Sequence, residues 1–258
     1  MSFVNRMLAS VGIGAAKVDT VLDKDTYSPG ENVTGTVKIY GGKVEQEIDH
    51  ITLFVMTEYY REVDDNKVRE TTALAKYTAA SKIKVAANEN KDIPFSFALP
   101  AETPYTIGQT PVWIKTGLDI QMAVDPTDND FIKVLPDASA SAVFSAVEHI
   151  GFKLRKANCE LAPRFLRSSV PFIQEFEFVP MSGAFYRKLD ELEVIMLRQG
   201  TGIELLLEID KKAKGLFGML ESAMDMDERK VRVSLTGAQL QNPQVLGREL
   251  EQLIQRYI

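Results

Sequence analysis

Tyr27-Ser28-Pro29-Gly30-Glu31-Asn32-Val33-Thr34-Gly35-Thr36-Val37-Lys38-Ile39 reads as a tight turn that runs straight into a strand. Pro29 presets the backbone for the first corner of the turn, and Gly30 accepts positive φ at the second. Beyond it Val33, Val37 and Ile39 fall on one face and Thr34, Thr36 and Lys38 on the other, with Gly35 interrupting the apolar row. That alternation is the signature of a half-buried strand in an antiparallel sheet. Pro29, Gly30, Glu31 and Gly35 are therefore the residues expected to define the fold.

The same period repeats outward from this stretch. Upstream, Ala16–Asp23 reads as a first strand with Val18 and Leu22 as core positions. Downstream, Ile48–Tyr60 places Ile51, Leu53, Val55 and Thr57 on one face and Phe54, Met56 and Glu58 on the other, the pattern of a central strand. Arg61–Arg69 reads as a hairpin tip, with a return strand through Ser81–Val85. Ile93–Leu99 and Val112–Ile120 are strands, Val124–Asp130 an acidic turn, and Phe131–Leu135 a further strand ending at Pro136. Short strands separated by turn signals point to an all-β sandwich.

After Pro136 the pattern changes. Ala138–Ile150 carries Val143, Phe144, Val147 and Ile150 at helical spacing and stops at Gly151. Strands are expected at 152–161, 172–179, 189–197, 203–209 and 231–235. A helical stripe of Leu216, Met219, Leu220, Ala223 and Met224 leads into the acidic stretch Asp225–Glu228. Asn242 and Pro243 form a helix start, followed by Leu246, Leu250, Leu253, Ile254 and Tyr257 on one face. A first helix is expected near the N-terminus, with Phe3, Met7, Leu8 and Val11 at helical spacing. Its weak basic flank and internal glycines argue for a retained segment rather than a signal peptide. The fold class expected is mainly β, as two sandwich domains over 1–136 and 137–258 with added helices.

Composition narrows the function. The 258 residues are 45% hydrophobic, enough for a substantial core, and the formal net charge is −6. Nucleic acid and strongly anionic membranes require a dense basic field, so neither is the expected partner. Residues 1–136 carry 14 Lys+Arg against 19 Asp+Glu, and residues 137–258 carry 16 against 17, which leaves the second half freer to present a local basic patch. One cysteine, Cys159, excludes an internal disulfide and fits a reducing compartment. No run reaches the roughly 18 apolar residues of a membrane span.

Candidate chemistry is sparse. His50 and His149 lie in different expected domains without ligand-spaced partners, so neither a zinc site nor a Ser-His-Asp set is expected. Asp125, Asp128 and Asp130 bring carboxylates close together but lack a calcium-loop pattern; a turn capping its own backbone accounts for them. Gly215-Leu216-Phe217-Gly218 lacks the lysine and hydroxyl of a phosphate cradle. Glu191 and Glu193 share a strand face opposite Leu192 and Val194 and are expected in solvent. The one basic concentration is Lys153, Arg155, Lys156, Arg164 and Arg167, a candidate patch for an anionic partner. No catalytic, cofactor or metal-binding residues are assigned, and the expectation is a protein without enzymatic activity.

Several stretches also resemble a known family. Tyr27–Val37, Pro94-Phe95-Ser96-Phe97-Ala98-Leu99-Pro100 and Val112–Asp130 with Ile132-Lys133-Val134 are similar in order and spacing to the N-terminal half of an arrestin-like domain. Over its whole length the chain resembles the bacterial sporulation-control proteins of the arrestin superfamily, the stage zero M proteins. The resemblance is carried by Ala9–Thr20, Thr116-Gly117-Leu118-Asp119-Ile120, Ala123–Asp128, and Gly183-Ala184-Phe185 with Arg187–Val194. It implies two arrestin-like β-sandwiches joined by a hinge, and a cytoplasmic, non-enzymatic scaffold that binds protein partners in the control of sporulation. Phosphate sensing by paired basic residues does not carry over, because Asp19 and Asp23 separate Lys17 from Lys24. Edge strands make a homodimer a further expectation. The rival class is a small-ligand or phospholipid-binding sandwich using an interdomain cleft or the patch near 153–167.

Overall fold

The turn closes on its own residues and is tied to Leu99, whose carbonyl accepts from the Gly30 amide at 2.8 Å. In the computed structural model Gly30 has φ +83°. The Glu31 amide donates to the Ser28 carbonyl at 3.0 Å, and the Ser28 amide donates to Glu31 Oε2 at 2.9 Å. The structure describes residues 15–64, 66–120, 125–166, 168–200, 202–210 and 230–257. The helices expected near Met7 and over 216–224, and Gly215–Gly218, lie outside the described residues.

The chain forms two units. One contains the chain up to Glu58, Thr71–Thr106 and Pro111–Leu135; the other contains Tyr59–Glu70, Ile107–Thr110 and the chain from Pro136 onward. The expected division at Pro136 counts Tyr59–Glu70 and Ile107–Thr110 with the first domain, whereas by proximity they cluster with the second unit.

In the first unit β1 (Lys17–Leu22), β3 (Asn32–Tyr40) and β6 (Asn90–Ala98) form one antiparallel sheet, with β3 central. The second sheet runs β5 (Asn66–Val85), β4 (Gln46–Val63), β7 (Val112–Ile120), β8 (Thr127–Val134), β2 (Thr26–Tyr27). Inward residues of both sheets make one core. Val33, Val37 and Ile39 from β3 and Phe97 from β6 meet Ile51, Leu53, Val55, Ile114, Leu118 and Ile132. Thr20 Oγ1 donates to Thr116 Oγ1 at 2.7 Å between buried positions, satisfying two hydroxyls that would otherwise be stranded. At Gly35 the sheet admits no side chain: a Cβ there would lie 2.4 Å from the Val21 carbonyl and 2.9 Å from the Phe95 ring. The glycine that breaks the apolar row is thus where β1 and Phe95 close over β3.

Two expectations shift. The hairpin arms are longer than expected, because β4 runs to Val63 and β5 starts at Asn66 and continues for 20 residues. The acidic turn is also shorter. Strand β8 begins at Thr127, since the Thr20 amide donates to Asp128 Oδ2 at 2.7 Å and Asp128 pairs with Thr116 across β7. Asp125 does cap its turn, accepting from the Ile120 amide at 3.0 Å.

The second unit holds the antiparallel sheet β13 (Lys230–Leu235), β12 (Gly202–Asp210), β11 (Glu191–Gln199), β10 (Phe172–Pro180), β9 (Phe152–Leu161), in that order. The far end of β4 joins beside β9 in parallel, Tyr60 opposite Glu160. On one face sit α1 (Ala138–His149) and α3 (Pro243–Ile254), preceded by the short α2 (Gly237–Leu240). Phe144 of α1 packs edge-on to Phe176 at 4.9 Å. The helices approach at Gly247, where a Cβ would lie 2.8 Å from the Ala146 carbonyl. Asp137 and Asn242 cap α1 and α3 as their residue types dictate. Among the described residues this unit is therefore one sheet faced by helices.

Candidate functional site

The face of β9–β12 turned away from the helices is where the expected basic patch falls, and alternation places its residues. Phe176 and Phe178 point to the helices, so Glu175 and Glu177 point away. Cross-strand register then aligns Glu177 with Glu193 and Glu193 with Glu208. Lys156 faces Glu177 at one end of this row and Lys230 faces Glu208 at the other. Three carboxylates on neighbouring strands are thus bracketed by two lysines.

This face is not solvated. Glu191 is 4% exposed, Glu193 5% and Glu208 2%. The expectation that Glu191 and Glu193 lie in solvent is corrected here: β11 is a central strand buried on both sides, so its polar half is covered like its apolar half. Burial first, then the Glu175, Glu208 and Glu191 carboxylates, push Glu193 up to about 9, so it holds its proton at neutral pH. Glu175 is likewise raised, chiefly by burial.

The basic residues serve this cluster. The register slips between Glu177 and Phe178, a bulge that sets Arg155 and Lys156 together against Glu177. Arg155 ion-pairs with Glu177 and lies 2.5 Å from Glu191 Oε2. Lys67, from the tip of the β4–β5 hairpin, pairs with the buried Glu160 at 3.0 Å. Burial alone would lower Lys67, but the bond and charge of Glu160 hold it above its ordinary value. Lys153 and Lys156 are exposed. Arg164 is also exposed, on a one-turn 3-10 helix whose Leu166 packs with Ile173, Ile195 and Leu206. Ile173 is six residues from Val179, the partner of Lys153, or about 20 Å along the strand. Arg164 and Lys153 therefore do not share a patch, and Arg167 lies outside the described residues.

Other candidates resolve as structure. Cys159 is buried, and burial pushes its thiol up to about 12, which disfavours the reactive thiolate. Asp130 is raised to about 6 by burial and by the neighbouring Asp128 and Asp19. Among the described residues no group of three or more His, Cys, Asp or Glu is arranged to hold a metal ion. His50 lies opposite Asp119 on the outer sheet, and His149 is in the last turn of α1. No helix among the described residues is long and apolar enough to cross a membrane.

A second feature was not singled out from sequence. On the outer face of the first unit Met56, Trp113 and Phe131 stand directly opposite one another on β4, β7 and β8. Trp113 and Phe131 are 5.6 Å apart, and Phe131 is 68% exposed. The signal was present as apolar residues on the polar-phase positions of three strands.

Comparison with known proteins places the whole chain. The family described as SpoOM protein matches residues 4–213. The sporulation-control protein spo0M of Bacillus subtilis (strain 168) is 42% identical over 257 residues, covering 100% of this chain and 99% of that protein. The crystal structure of Spo0M from Bacillus subtilis superposes with a TM-score of 0.87 at 39% identity, covering 95% of this chain and 100% of that one.

Proposed function

Given that the chain belongs to the Spo0M family, we propose that it is a cytoplasmic, non-enzymatic regulator of sporulation that acts by binding protein partners on an arrestin-like scaffold. The observation that carries this reading is identity of 42% spread over the full length of a sporulation-control protein. The arrangement of charge supports it. The titratable groups gathered in the second unit are occupied with one another, Arg155 with Glu177 and Glu191 and Lys67 with Glu160. Such a network holds strands in register. An anionic-partner patch near 153–167 is weakened by the same pairs, since Arg155 is neutralised by two glutamates and Arg164 stands apart.

The test is genetic. Expressed at native level in a Bacillus subtilis strain lacking spo0M, this chain should restore the parental spore yield. A stable, soluble protein that leaves the deletion phenotype unchanged would refute the regulatory reading. In-cell crosslinking with mass spectrometry should recover specific protein partners; a chain that crosslinks to none while restoring spore yield would refute the scaffold.

A further inference from the structure

Resting on the reading of the chain as a protein-binding regulator, the geometry points to the outer face of β4, β7 and β8 as the docking site for an acidic amphipathic helix of a partner protein, seated across the Met56–Trp113–Phe131 row. The strands of a sandwich that face water ordinarily carry polar residues there. Here three large apolar side chains stand in one cross-strand line, with Phe54 beside Met56. The contiguity matters, since single exposed apolar residues are ordinary and a connected row is not.

Length and charge both choose the occupant. Two interstrand steps make the row about 9.6 Å long, close to the ~10.5 Å between helix residues i and i+7. Because β7 and β8 are antiparallel, Lys115 lies two residues to one side of Trp113 and Lys133 two residues to the other side of Phe131. Each is about 6.7 Å from the row, where the flanks of a seated helix would fall. Lys76 adds a third cation on the Lys115 side, its Nζ 5.7 Å from the Phe54 ring. Of the acids on this face, Glu58 stands two residues from Met56 on the Lys133 side, and Asp119 lies farther out, opposite His50, so lysines outnumber glutamate around the row. An apolar stripe with lysines on both sides complements a helix with an apolar stripe and acidic flanks. Residues 1–136 carry 14 basic against 19 acidic side chains, so acidic partners are repelled elsewhere on this half and admitted here.

Trp113 is the only tryptophan, so its fluorescence reports on this face alone. The full chain is titrated with a tryptophan-free peptide of roughly 14 residues, leucine at i, i+3, i+4 and i+7 and glutamate between. A saturable blue shift with half-saturation at or below about 0.1 mM is expected. Phe131→Ser should weaken it at least about tenfold, as should Lys115→Glu with Lys133→Glu. Phe131 and Lys133 are exposed and Lys115 is half-buried on the outer face, and circular dichroism checks that each variant is folded; if Phe131→Ser does not fold, the lysine variant decides.

The proposal is overturned by no saturable shift, by an equal response to the peptide with lysine in place of glutamate, or by a response unchanged in the variants. It is also overturned if phosphatidylglycerol vesicles produce the shift and the acidic peptide does not, or if dilution alone shifts the emission as sedimentation shows a dimer dissociating. Spore yield separates this from the regulatory reading. Phe131→Ser chains that bind no peptide yet restore sporulation would remove the docking face and leave the regulatory role standing.

Discussion

The core of the first unit and the acid face of the second are both antiparallel sheet built on the same two-residue alternation, yet one encloses valine, isoleucine and leucine and the other encloses glutamate. In the first, the buried phase is mainly apolar, its polar members held by local bonds such as the Thr20–Thr116 pair, with Asp130 as a titratable group at the β8 edge. In the second, strand β11 hides both phases: Leu192 and Val194 toward the helices, Glu191 and Glu193 away from them. A covered apolar face stabilises by leaving water, whereas a covered carboxylate face is tolerated only when cations and retained protons offset the lost hydration. The first arrangement responds to pH chiefly through the single Asp130 carboxyl at its edge, the second through its buried glutamate face.

Substitutions that disturb each region test this contrast. The largest effect is expected from Gly35→Val, which drives a side chain into the Val21 carbonyl and the Phe95 ring. A destabilisation of about 3 kcal/mol or more should be seen in urea unfolding with little dependence on pH. A pH-sensitive loss would show that the disturbance reaches the Asp130 carboxyl on β8. Next is Arg155→Met, which leaves the buried Glu191 and the half-buried Glu177 without their shared cation. Because Arg155 is itself half exposed, the cost is about 1–3 kcal/mol, greatest at neutral pH and relieved as the glutamates protonate in acid.

Glu193→Gln should act in the opposite direction. The folded value of about 9 exceeds the ordinary 4.5. The folded form therefore holds a proton that the unfolded chain releases, and the native protein loses stability as pH rises from about 4.5 toward 9. Glutamine removes that slope. The variant should melt higher than the parent, with the gap widening from pH 6 to pH 9; parallel melting profiles would mean that Glu193 ionises normally. The smallest effect is Gly30→Ala. Its φ of +83° strains a Cβ, but nothing lies within 4 Å of it. About 1 kcal/mol is expected, and chemical denaturation with a loss near that of Gly35→Val would mean that the turn is packed rather than open.

Much of this was legible from residues alone. The turn at Pro29-Gly30, strands at 112–120 and 152–161, and the capped helices after Asp137 and Asn242 all follow from local preference. The short α2 was overlooked although its signal is present: Thr236 and Gln239 form a capping box. The bulge at Arg155 carries no comparable mark, because an extra residue in one strand is defined only against its partner.

What the sequence determined by itself was phase: which side chains share a face, where strands turn, and which helices can start. Period and capping depend on neighbours a few residues away, and those are written in order along the chain. What only the tertiary structure decided was which phases are covered. Glu193 is buried, and Phe131 is not, because of segments far away in sequence, and burial is a property of what arrives from elsewhere rather than of the strand that carries the residue.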